Sequence, residues 1–158
     1  MLNDIVLDTN VLKHASDGRR PDQKAISKFF KKLQGSATKL CVDPGFDFES
    51  EASNTSHICS EYIARLVPGE LGFELIRYLA RTARITIVPR TLSVAKRKVI
   101  RNAIFDPSDR VFVQVAHNSS NKILTTHDET NFPKAVRKLL SDELGVETLS
   151  AVEADAVL

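Results

Sequence analysis

The chain has 158 residues, 42% of them hydrophobic and 27% charged, enough for the core of one ordinary domain and with nothing that calls for a second. No apolar run approaches the roughly 20 residues that cross a bilayer, and the chain does not open on a secretory pattern. Two isolated cysteines, Cys41 and Cys59, argue against a disulfide scaffold and for reduced thiols in a cytoplasmic protein, and a formal net charge of only +2 excludes an overall polycation.

The first element is a short apolar run, Ile5-Val6-Leu7, that reads as a buried strand. It ends in Asp8-Thr9-Asn10, delivering a carboxylate, a hydroxyl and an amide to the rim of a sheet. A short helix over 10–16 and a turn at Gly18-Arg19-Arg20-Pro21 precede a firmer helix over 22–34. That helix is apolar at Ala25, Ile26, Phe29, Phe30 and Leu33, and Gly35 stops it. Residues 39–43 form a second strand of the first one's type, and the polar stretch 45–55 is expected as a loop. Helical spacing resumes at Ile58, Cys59, Tyr62, Ile63 and Leu66, breaks at Pro68-Gly69, and returns with Phe73, Ile76, Leu79, Ala80 and Ala83. Residues 84–88 alternate as a short strand that Pro89 ends.

Next comes a helix through Leu92, Ala95, Val99, Ile100 and Ala103, with Lys96, Arg97, Lys98 and Arg101 on its other face. Asp106 is placed to cap the following helix, with Pro107 at its first position and Val111, Phe112, Val115 and Ala116 as its buried stripe. A strand over 122–126, a helix over 133–143 and a strand over 146–149 complete the order. Strands alternating with helices predict an α/β fold: a mostly parallel sheet with helices on both faces, in three layers.

The charges are segregated along this order. Between Leu75 and Phe105 there are eight Lys and Arg residues and no acid, whereas 40–64 carries five acids and no Lys or Arg. A basic lobe beside an acidic centre suits a polyanion held over a metal site. Two strand ends, Asp8 and Asp128, supply aspartates; Asp109 lies three residues after a helix cap, where a capping box is the rival reading. Glu61 lies on a helix, with Glu49 and Glu51 in the preceding loop as rivals for its role. Carboxylate oxygens are hard ligands suited to Mg²⁺ or Mn²⁺. Two of them ionised about 4 Å apart repel by about 4 kcal/mol at an effective dielectric of about 20, so a cluster needs protons, cations or guanidinium groups. Cys and His pairs at zinc-ligand spacing are lacking. His14, His57, His117 and His127 are scattered without a nucleophile-base arrangement, and His127, as a strand neighbour of Asp128, is expected to point the other way. Thr9 and Thr126 are candidates to hydrogen-bond a carboxylate or phosphate.

Taken in order, Ile5 to Leu12, the Glu61-Tyr62 pair, Asp109 to Ala116, and Ile123 to Asp128 followed by Phe132 resemble the PIN domain family over residues 4 to 132. The resemblance implies a metal-dependent endoribonuclease in which Asp8, Glu61, Asp109 and Asp128 converge at the carboxyl edge of the sheet around Mg²⁺ or Mn²⁺. It implies an RNA substrate with phosphates on Arg90, Lys96, Arg97, Lys98 and Arg101, and Arg110 close to the site. A toxin or defence role, an antitoxin or other protein partner, and a homodimer are within what the family implies. The rival reading is a catalytically inactive PIN-like module that binds RNA or scaffolds; a structure-specific DNA nuclease would need a helical clamp for which the chain is short. With no Trp and two Tyr, few stacking platforms are expected, so specificity would come from RNA shape or a partner.

Overall fold

Ile5, Val6 and Leu7 are apolar without alternation, which requires a strand covered on both faces, and all four residues of β1 (Asp4–Leu7) are buried. In the computed structural model, which describes residues 1–158, β2 (Lys39–Val42), β3 (Ile85–Ile87), β4 (Ile123–Thr125) and β5 (Glu147–Leu149) join it in one sheet. The strand order is β3-β2-β1-β4-β5 and every neighbouring pair is parallel.

The helices are α1 (Thr9–His14), α2 (Gln23–Gly35), α3 (His57–Arg65), α4 (Leu71–Arg81), α5 (Val94–Ala103), α6 (Pro107–Asn118), α7 (Lys134–Leu144) and α8 (Ala151–Val157). Helices α1, α2, α4 and α8 pack among themselves, while α6 lies on β1, β2 and β4 and carries α5 beside it. The result is a three-layer α/β/α fold around one hydrophobic core that includes Phe29, Phe112, Phe132 and the whole of Tyr62. Gly72 lets α4 meet α1, since a Cβ there would lie 2.3 Å from the Leu12 carbonyl oxygen. No helix is long and apolar enough to cross a membrane, and both cysteines are buried and free.

This topology fixes where a site can form. The chain lays down β1, β2 and β3 in one direction, then returns to place β4 on the other side of β1. At such a reversal the connections leave the two carboxyl ends in opposite directions and open a crevice between them. Asp8 follows β1 and Thr126 follows β4 on the two sides of that crevice.

The predicted elements are present, with two differences. The basic helix begins at Val94 rather than Leu92, because the Ser93 side chain accepts from the Lys96 amide at 3.2 Å and caps it. After β5 the chain does not stop but forms α8, packed on α2 through Ala151 and Ala154, with Lys28 paired to Asp155 at 3.0 Å. The signal for α8 was a capping box, Ser150-Ala151-Val152-Glu153, and both of its reciprocal hydrogen bonds are formed.

Candidate functional site

Asp8 is 4% exposed, although it ends a strand. Its side chain does not cap α1. Instead Oδ2 accepts from the Thr126 hydroxyl at 2.7 Å and from the Asn10 amide at 3.0 Å, which leaves Oδ1 free of side-chain donors. Asn10 is fixed in turn, since its Oδ1 accepts the His127 amide at 3.0 Å. The carboxylate is thus held between β1 and β4 by Asn10 in the first turn of α1 and Thr126 just after β4.

Glu61 reaches the same edge in spite of the long insert that separates it in sequence from β2. The insert closes on itself: the Gly45 carbonyl accepts the Thr55 and Ser56 amides at 3.0 and 3.2 Å. Gly45 has φ +86° and a Cβ on it would collide with Thr55, so a residue with a side chain is strained there. The closure returns Ser56 to the end of β2, where its hydroxyl donates to Asp43 at 2.6 Å. Asp43 also accepts the His57 and Ile58 amides at 2.8 and 3.0 Å, so this strand-end aspartate is spent on starting α3. One turn on, the buried Tyr62 hydroxyl donates to the Leu7 carbonyl, and the Thr9 hydroxyl donates to Glu61 Oε2 at 2.9 Å. The rivals do not compete: Glu49 pairs with Arg81 at 2.9 Å and Glu51 lies exposed on the insert.

Asp109 stands in the first turn of α6, half-buried, and does not complete a capping box, because Asp106 caps the helix through the Ser108 amide at 2.9 Å. Asp128 is placed differently. Its Oδ1 accepts the Thr130 and Asn131 amides and its Oδ2 the Asn131 side chain, all at 2.9–3.0 Å, so both oxygens organise a turn. Burial opposes its charge, but those donors prevail and hold the carboxyl below its ordinary range.

Asp8 and Asp109 feel the charge of the other acids. Burial pushes the Asp8 carboxyl up to about 6 in spite of the Thr126 hydrogen bond, and the charges of Glu61 and Asp128 add to the rise. Burial also pushes Asp109 up to about 7, with repulsion from Asp8, Asp106, Asp128 and Glu61 behind it. None of the four forms an ion pair with any Lys, Arg or His. The cluster is therefore a concentration of negative charge that the protein leaves uncompensated. No group of three or more His, Cys, Asp or Glu side chains is drawn together as a ready metal cage. The donor set itself, hard carboxylate oxygens, fits Mg²⁺ or Mn²⁺ all the same, because Mg²⁺ keeps most of its waters and uses one or two direct carboxylates.

The basic lobe divides in two. Lys96 donates to His117 Nε2 at 3.1 Å, His117 Nδ1 donates onward to the Leu144 carbonyl at 2.9 Å, and Arg90 binds Gln114 at 3.3 Å and stands 3.9 Å from Asp43. Arg97, Lys98 and Arg101 are exposed and make no side-chain hydrogen bond or ion pair. Arg110, expected near the acids, is turned away because its guanidinium donates to the Ile104 and Phe105 carbonyls at 2.8 and 3.0 Å and closes α5. Sequence reasoning missed Tyr62 as an anchor and Asp43 as the start of α3; a Tyr in an apolar stripe and an Asp after a strand were the available signals.

Fold and site together define an α/β/α protein with an unpaired carboxylate cluster at the reversal point of a parallel sheet. Comparison with known proteins returns no matching family model, no similar curated protein and no similar solved structure.

Proposed function

We propose that this protein is a divalent-metal-dependent endoribonuclease of the PIN type. The observation that carries the reading is the pair Asp8 and Glu61, held at one sheet edge through Thr126 and Thr9, with the charges of Asp109 and Asp128 felt nearby and no ion pair of the protein to any of the four. A bound Mg²⁺ or Mn²⁺ would supply acidified water and charge stabilisation for phosphodiester hydrolysis. Asp8 and Glu61 are the residues to hold it, with Asp109 beside them. Asn10, Thr126 and Thr9 keep the two carboxylates oriented. Arg97, Lys98 and Arg101 would take the phosphates, positioning a strand without reading its sequence. Buried, unpaired cysteines accord with a cytoplasmic setting, within which a toxin or defence role, with a protein antitoxin, belongs to the same reading.

Purified protein is expected to cut RNA only when Mg²⁺ or Mn²⁺ is present, and Asp8→Asn is expected to abolish the cleavage. Full activity in that variant, or in EDTA, overturns the proposal. A second reading, an RNA-binding module without turnover, draws on Asp128, whose oxygens are both engaged in a turn. RNA affinity that survives EDTA with no metal-dependent product would favour it.

A further inference from the structure

Phe105, in the link between α5 and α6, is 90% exposed, and Val94 at the start of α5 is 74% exposed. A phenylalanine in water gives up the apolar burial that would stabilise the fold, and the main chain of this one is fixed at the surface. Its carbonyl accepts from Arg110 at 3.0 Å, which ties the link to the wall of a cleft between α5 and α6. Val94 and Ile100 give that cleft apolar surface, and Arg97, Lys98 and Arg101 line it with cations. The side chain stands four residues before Asp109 of the acidic cluster.

We propose that Phe105 is a stacking platform for a nucleobase of single-stranded RNA whose phosphates lie on Arg97, Lys98 and Arg101. An exposed aromatic ring on a link tied to a cleft lined by unpaired cations is the combination that binds single strands, because every base has a face to stack and every linkage a charge to neutralise. A duplex keeps its bases stacked on each other and offers none to the ring. Phe105 is therefore a positioning residue that selects unpaired RNA for the neighbouring acids. The inference rests on the reading of this protein as one that acts on RNA, and it is tested without cleavage.

The chain has no tryptophan, so Phe105→Trp places a single indole at the site, and the exposed position leaves the fold undisturbed. In EDTA, an unstructured RNA oligonucleotide is expected to quench its emission, whereas a duplex of the same length leaves it unchanged. Phe105→Ala should weaken binding of the single strand by about 5- to 150-fold and leave duplex binding as it was. Emission unmoved by the single strand, or unchanged affinity in Phe105→Ala, overturns the proposal. So does a shift from dimer to monomer on sedimentation of Phe105→Ala, which would make the ring a protein contact. Quenching without any metal-dependent cleavage would sink the nuclease reading and leave the stacking site standing; cleavage without quenching would do the reverse.

Discussion

At the scale of single residues, the site is a balance between burial and charge. Asp8 titrates near 6 in the folded chain against an ordinary 3.8, so between those values the folded state holds a proton that the unfolded state has lost, and stability falls as pH rises. The penalty is absent below about pH 4, complete above about pH 6, and worth on the order of 3 kcal/mol for the ionised carboxylate. Asp109, near 7, carries the same sign to slightly higher pH. His127 works against them. Its Nδ1 lies 3.1 Å from that of His14, its Nε2 accepts the Ala151 amide at 3.1 Å, and burial drops its pKa to about 4, so it costs stability as pH falls from 6.5 toward 4. The comparison that isolates Asp8 is Asp8→Asn against the parent in EDTA. The variant is expected to melt at the same temperature near pH 4 and at a higher one above pH 6, as thermal unfolding across that range would report; an unchanged difference across the range would contradict it.

At the scale of elements, α3 is what brings Glu61 to the edge, and Asp43 is what starts α3. Asp43→Ala leaves the Ser56 hydroxyl and the His57 and Ile58 amides without their acceptor in a buried place. Urea unfolding should show a loss on the order of 3 kcal/mol, and RNA cleavage should fall with it because the helix bearing Glu61 is no longer fixed to β2. The contrast with Asp8 is physical: two aspartates follow two neighbouring strands, yet one meets a helix N-terminus and has both oxygens engaged, whereas the other keeps one oxygen free of side-chain donors and feels the charge of other acids. The sequence singled out Asp8 and passed over Asp43, since nothing local reports that the insert closes at Gly45 and returns Ser56 to Asp43.

For the whole molecule, the basic lobe is smaller than its sequence suggests. Of the eight cations between Leu75 and Phe105, Arg77 and Arg81 pair with Glu74 and Glu49, Arg84 binds the Leu33, Gln34 and Thr38 carbonyls, and Lys96 is committed to His117. The salt dependence of RNA binding should resolve this. Arg97→Gln with Arg101→Gln is expected to make the slope of log affinity against log salt shallower by about 0.7 for each side chain, while Lys96→Gln leaves it unchanged; the opposite pattern would move the phosphate path elsewhere.

The alternation of short apolar runs with helical stripes determined the layered parallel sheet by itself, because a strand without a polar face must be buried on both sides. It also put Asp8 and Thr126 at strand ends, where backbone direction alone sends them to the carboxyl edge. Which charges remain free was settled by long-range packing. Pairing depends on neighbours far off in the chain: Arg81 across from Glu49, Asp43 against Ser56, Arg110 folded onto α5, Asp128 closed in its own turn. Sequence position says which groups can ionise, whereas burial and long-range hydrogen bonds set which of them are left unsatisfied at the crevice, and that residue of unmet charge is where the chemistry of this protein is proposed to lie.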